Sequence, residues 1–273
     1  MANELNNQKE TIKFELYLPE KEEILISDLQ KQIWNDELEA LNPLTHGEVA
    51  INGLYIFEGE ENYELSVFIR NGLERSILIN TVPMRIIDEE NNVLAQAFVE
   101  FTDAGQIPSL KARPFKVYLD KESVLDKNIC DKKWKVVYTN DAQITETVEV
   151  EEYEDLPKEA DTTIREQLKE YLDTLPAVPY GNVTVNIFRL SHLALNKIDI
   201  VVVIRNGADM DVELGKLPIT LVHEEEELVA SGIFDLSSIR ISKDKAKVCN
   251  LSFENDDIVK KDIDIRRCSV KLG

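Results

Sequence analysis

The octapeptide Leu65-Ser66-Val67-Phe68-Ile69-Arg70-Asn71-Gly72 returns as Ile200-Val201-Val202-Val203-Ile204-Arg205-Asn206-Gly207, 135 positions later in a chain of 273 residues. An apolar, β-branched run closed by Asn-Gly reads as a buried strand that ends in a tight turn. Its return at half the chain length marks a duplication, and the correspondence extends to both sides. Leu38 and Leu41 match Leu172 and Leu175, and Gly47-Glu48-Val49-Ala50-Ile51-Asn52 matches Gly181-Asn182-Val183-Thr184-Val185-Asn186, all at an offset of 134. The offset is 135 from the octapeptide through Pro83/Pro218 to Phe98/Ile233, and 134 again from Ala112/Ala246 to Trp134/Cys268. Apolar positions persist while surface letters drift, as expected of two copies of one fold.

Each copy opens on a helical pattern and continues as β structure. Phe14–Leu18 alternates like an edge strand, and Pro19 then starts a helix whose Ile26, Leu29, Ile33, Trp34, Leu38 and Leu41 form one apolar stripe, ended by Asn42-Pro43. The second helix carries Ile164, Leu168, Leu172 and Leu175. After each helix come short strands with frequent turn signals, among them Glu58–Asn62 and Asp88–Asn92; Gly105–Pro108 and Arg113-Pro114 bracket a loop. These patterns predict a mainly β chain of two tandem, homologous, immunoglobulin-like β-sandwich domains, each preceded by a short amphipathic helix. Residues 1–12 read as a disordered leader, 13–140 as the first domain and 141–273 as the second, more divergent one. The second includes an acidic stretch, 141–155, that serves either as a linker or as the first edge strand of its copy.

At about 130 residues, each copy is long enough to bury roughly two-thirds of its unfolded surface. The formal charge of −21 excludes nucleic acid and anionic lipid as natural partners and suits a basic one. The N-terminal residues show no basic and apolar leader pattern and no apolar run approaches membrane length, so a cytoplasmic protein without a membrane span is expected unless a leader was trimmed from it. Cys130, Cys249 and Cys268 are odd in number and widely spaced, which fits neither a disulfide framework nor a metal site.

Chemistry is hard to place on this chain. His46, His192 and His223 lack the spacing of a zinc helix, and no nucleophile elbow, phosphate-cradling glycine loop or calcium loop occurs. The expectation is therefore a protein that is no enzyme and carries no metal or cofactor. Arg70 and Arg205 admit two readings, a cation that pairs with a nearby acid to fix the corner, or a contact for a partner. Trp34 and Trp134 fit packing better than an interface.

Ile51-Asn52-Gly53-Leu54-Tyr55-Ile56-Phe57, Val67–Leu73, Gly105-Gln106-Ile107-Pro108 and Ala112-Arg113-Pro114-Phe115 together resemble the SLAP domain of Gram-positive bacteria, as does the helix end Glu37–Leu44. That family is associated with accessory Sec export and S-layer assembly, and its members often carry the domain in duplicate. The resemblance implies a non-catalytic accessory factor for export or assembly of S-layer or other surface proteins. Its implied partners are proteins, namely the accessory Sec motor ATPase or S-layer preproteins, and its place is the cytoplasm or the membrane export site. The first copy's protein contact would comprise Arg70, Asn71, Gly72, Gln106, Ile107, Pro108, Arg113, Pro114 and Phe115. The second copy departs from the pattern at Asn186-Ile187-Phe188-Arg189 and at Ile241-Ser242-Lys243-Asp244. The alternative is a structural or cell-surface binding module with no export role.

Overall fold

The computed structural model describes residues 11–138, 142–156, 162–194, 197–224, 226–260 and 263–273. The described chain divides into two compact units, one ending at Glu146 and the other beginning at Thr147. Of the expected leader, residues 1–10 lie outside the described residues. Thr11 and Ile12 are held in place, with a Thr11–Thr45 bridge and the Ile12 N–H donating to the Leu44 carbonyl at 3.0 Å.

The first unit runs β1 (Glu15–Leu16), α1 (Glu20–Glu23), α2 (Asp28–Ala40), β2 (Val49–Glu58), β3 (Asn62–Asn71), β4 (Ser76–Ile79), β5 (Thr81–Asp88), β6 (Val93–Glu100), β7 (Lys111–Asp120) and β8 (Trp134–Tyr138). One sheet has the order β1-β7-β3-β2 and a second the order β6-β5-β8. Every pairing within them is antiparallel except β1 on β7, which is parallel. Leu65, Val67 and Ile69 of β3 share one buried core with Val82, Met84 and Ile86 of β5, so the two sheets form a sandwich. Trp134 packs against this core, and Gly53 makes room for it: a Cβ there would stand 2.1 Å from the indole.

β9 (Ile144–Val148) crosses the division between the units, and its Thr147 and Val148 pair with Pro179 and Val178 of β11 (Val178–Pro179). The second unit repeats the first. β10 (Glu152–Tyr153) and α3 (Thr162–Thr174) precede β11, followed by β12 (Val183–Ala194), β13 (Lys197–Asn206), β14 (Val212–Glu213), β15 (Lys216–His223), β16 (Leu228–Asp235), β17 (Arg240–Ile241), β18 (Lys245–Phe253) and β19 (Cys268–Leu272). Its sheets have the orders β10-β18-β13-β12 and β16-β15-β19, with β10 parallel to β18. Both copies are therefore threaded alike, and the acidic stretch supplies the edge strand β10. Equivalent ion pairs, Lys111–Glu15 and Lys245–Glu152, lie across the parallel pairings. A bulge interrupts β2 at Leu54 and β12 at Phe188, one residue after the equivalent positions Gly53 and Ile187.

Two local expectations are corrected. Arg113-Pro114 does not bound a loop: both residues lie within β7, where Pro114 pairs with Phe68. The proline is tolerated because β1 reaches only Lys111 and Ala112, leaving β7 an edge beyond them. The helix opened by Pro19 is also not continuous. α1 stops after one turn, and Ser27 caps a separate α2 by accepting from the Gln30 N–H at 3.2 Å.

Candidate functional site

The repeated Arg-Asn-Gly ends β3 and β13, and its asparagines are committed to backbone, its arginines to backbone and one asparagine side chain each. The Asn71 amide donates to the carbonyls of Arg75 (2.8 Å), Ile107 (3.0 Å) and Pro108 (3.1 Å), while its Oδ1 accepts from the Leu73 N–H at 3.0 Å. Asn206 does the same with Met210, Ile241 and Ser242, and accepts from Ala208. The structure thus joins the Arg70-Asn71-Gly72 turn to the Gln106–Pro108 loop. Both asparagines are completely buried, so their four bonds satisfy groups that water cannot reach.

Arg70 donates through Nε to Asn52 Oδ1 and through a terminal nitrogen to the Asn42 carbonyl, each at 2.8 Å, and lies over the Phe14 ring. Arg205 reaches the Pro176 carbonyl at 2.6 Å and Asn186 Oδ1 at 3.3 Å. The expected acid partner is absent: among the described residues no carboxylate pairs with either arginine. Burial pushes both guanidinium pKa values down. Each arginine ties the end of its helix segment to the sheet, through Asn42 in one copy and Pro176 in the other.

The glycines serve close approach. Neither Gly72 nor Gly207 has positive φ, so the Asn-Gly pair is not the hairpin turn its letters suggest. A Cβ on Gly72 would stand 2.5 Å from the Glu48 carbonyl oxygen, which accepts the Gly72 N–H at 2.9 Å. On Gly207 it would meet Val178 at 2.7 Å.

Of the nine residues expected to form a contact, Arg70, Asn71, Gly72, Ile107, Arg113 and Pro114 are buried, and Gln106, Pro108 and Phe115 are half-buried. Phe115 packs against the core, and Arg113 donates to Glu22 at 2.8 Å. The corner's visible work is internal: Asn71 and one terminal nitrogen of Arg70 are bonded to backbone carbonyls, while the buried Gln106 amide nitrogen and Arg113 Nε have no hydrogen-bond partner among the described residues. Trp34 and Trp134 both pack, as expected. Cys249 is buried in the second core, and Cys268 packs partly against it.

What the first copy does expose is apolar. Tyr55, Phe57 and Tyr118 stand on the outer face of β2, β3 and β7, where Phe57 and Tyr118 flank Glu64. Tyr118 and exposed Phe98 also rim a groove of about 480 Å³ lined by Arg85 and Gln96. In the second copy Tyr55, Phe57 and Tyr118 become Arg189, Ser191 and Ser252. Single letters gave no sign of this face; comparing the two copies position by position would have found it. Among the described residues no helix is long and apolar enough to cross a membrane.

Fold and corner together define a tandem, mainly β protein whose two domains are each closed by a buried Arg-Asn-Gly joint. The chain belongs to the SLAP-domain family, whose model matches it twice, over residues 16–140 and 151–272. No curated protein matches it.

Proposed function

We propose that this protein is a non-catalytic accessory factor for the export or assembly of S-layer or other surface proteins through the accessory Sec pathway. It works from the cytoplasmic side of the membrane export site and acts by protein contacts, chiefly with preproteins held before export. The double SLAP match carries this reading. The buried corner supports it, because its asparagines and arginines chiefly hold backbone carbonyls together and are not grouped around a cleft. The net charge of −21 complements basic preprotein segments. The test is deletion of the gene in its source organism, followed by assay of surface protein in the wall fraction. Loss of that protein from the wall, with precursor held inside, is the expected result, and undiminished export rejects the proposal.

A further inference from the structure

The segment α1–α2 of the first copy carries apolar side chains that nothing covers. Ile24, Leu25, Leu29 and Ile33 are 84, 82, 68 and 42% exposed. Leu29 and Ile33, four residues apart, share one side of α2, whereas Trp34 and Leu38 meet the sheet on a side rotated by roughly 100° or more. The fold does not need this ridge. Its α2 positions are Thr163 and Gln167 in the second copy, and the stretch between first strand and helix is three residues shorter there, so Ile24-Leu25-Ile26 has no full counterpart.

Charge identifies what would cover it. Glu20, Asp28, Asp36, Glu37 and Glu39 surround the ridge without an ion partner among the described residues, while Lys31 is engaged by Glu23 and Arg113 by Glu22. Glu37 has a buried Oε2 that accepts no hydrogen bond. A second copy of this chain would bring the same acids face to face, which disfavours self-docking. We infer that the α1–α2 ridge of the first copy docks a cationic, amphipathic segment of another protein. The segment's apolar residues lie on Leu25, Leu29 and Ile33, and its Lys or Arg residues meet the surrounding carboxylates. The inference rests on the reading that this protein acts through protein contacts, and it names the surface and the chemistry of the partner.

The test titrates the purified full chain into a fluorescent peptide of about 18 residues built from Leu and Lys with Leu at helical spacing. A scrambled peptide of equal composition and a Leu/Glu analogue serve as comparisons. Saturable binding of the first peptide, weakened by salt, is expected. Leu29→Gln/Ile33→Gln should lower its affinity about tenfold or more, and so should the independent charge reversal Asp36→Lys/Glu39→Lys. Ile233→Gln, at an exposed site in the second copy, should leave it unchanged. All these positions are exposed, and unaltered circular dichroism and urea midpoints would verify the fold. Equal affinity for the scrambled peptide, no effect of Leu29→Gln/Ile33→Gln, or a ridge-dependent dimer in sedimentation overturns the docking surface. These outcomes are separate from the export result. A deletion strain that loses wall protein alongside a failed titration rejects the ridge alone, whereas unchanged export alongside a successful titration rejects the export role alone.

Discussion

The two copies share a sandwich and a corner but hold their helices differently. In the second, Tyr153 of β10 donates its hydroxyl to the Leu168 carbonyl at 2.9 Å, and Tyr171 of α3 donates to the Ile187 carbonyl at 2.7 Å. Leu168 and Leu172 are buried, and Tyr171 packs edge-on against Phe188. In the first copy the same two positions are Leu16 and Glu37. Neither staple can form, only Leu38 of the helix is buried, and burial pushes the Glu37 carboxyl pKa up. Both copies keep the joint that closes the domain, and only the second fastens its helix with two tyrosine bonds. The difference teaches where each copy is constrained: the corner by buried donors, the helix only by what happens to face it.

The corner should tolerate least. Asn71→Ala removes all four bonds of a completely buried amide, taking from the Arg75 carbonyl and the Leu73 N–H the partner it gave them, and is expected to cost about 3 kcal/mol or more. Asn206→Ala should cost the same within about 1 kcal/mol, each measured by urea unfolding; a large inequality would break the equivalence of the two joints. Next comes the exchange of bulk between Gly53/Trp134 in the first copy and Ile187/Cys268 in the second. Gly53→Ala drives a methyl into the indole and should cost about 2 kcal/mol, but much less in a Trp134→Cys background. Additive losses in that double-mutant cycle would show that the two positions do not compensate.

Smaller effects address the helices. Tyr171→Phe should destabilise the second copy by about 1 kcal/mol, while Glu37→Tyr should stabilise the first by a similar amount, read from amide exchange in α3 and α2. Last is a pH effect on the helix of the second copy. Burial raises the Tyr153 pKa from its ordinary value near 10 to about 12. Because the folded value is the higher, the neutral phenol's contribution is complete below pH 10 and is lost as pH rises through 10 toward 12. Exchange from α3 should accelerate across that window; burial also raises the Tyr171 pKa, so Tyr153→Phe should reduce the acceleration and Tyr153→Phe/Tyr171→Phe should abolish it.

Much of this was legible in the letters. The constant offset carried the duplication, and alternation placed most strands. The helix was harder. Ile26, Leu29, Ile33, Trp34, Leu38 and Leu41 pass as one stripe, yet Trp34, Leu38 and Leu41 turn to the sheet while Leu29 and Ile33 turn to water. Periodicity tells that a face is apolar, not whether anything lies opposite. The corner was half legible, since its recurrence announced importance, but the letters favoured a tight turn and an acid partner. Asn71 instead works through carbonyls 36 and 37 residues away, a closeness only the folded chain reveals.

The parallel seating of β1 on β7 has a consequence for motion. The chain between Leu16 and Asn42 is moored upstream by that strand and the Lys111–Glu15 bridge, midway by Arg113 on Glu22, and downstream by Arg70 on the Asn42 carbonyl. Lifting α1 and α2 between the outer moorings would break the Arg113–Glu22 pair and unpack Trp34 and Leu38, but it would break no rung of either sheet. Such an opening would wet Phe68 and Ala112 and spare the inter-sheet core, because the helix packs on a cluster separate from it.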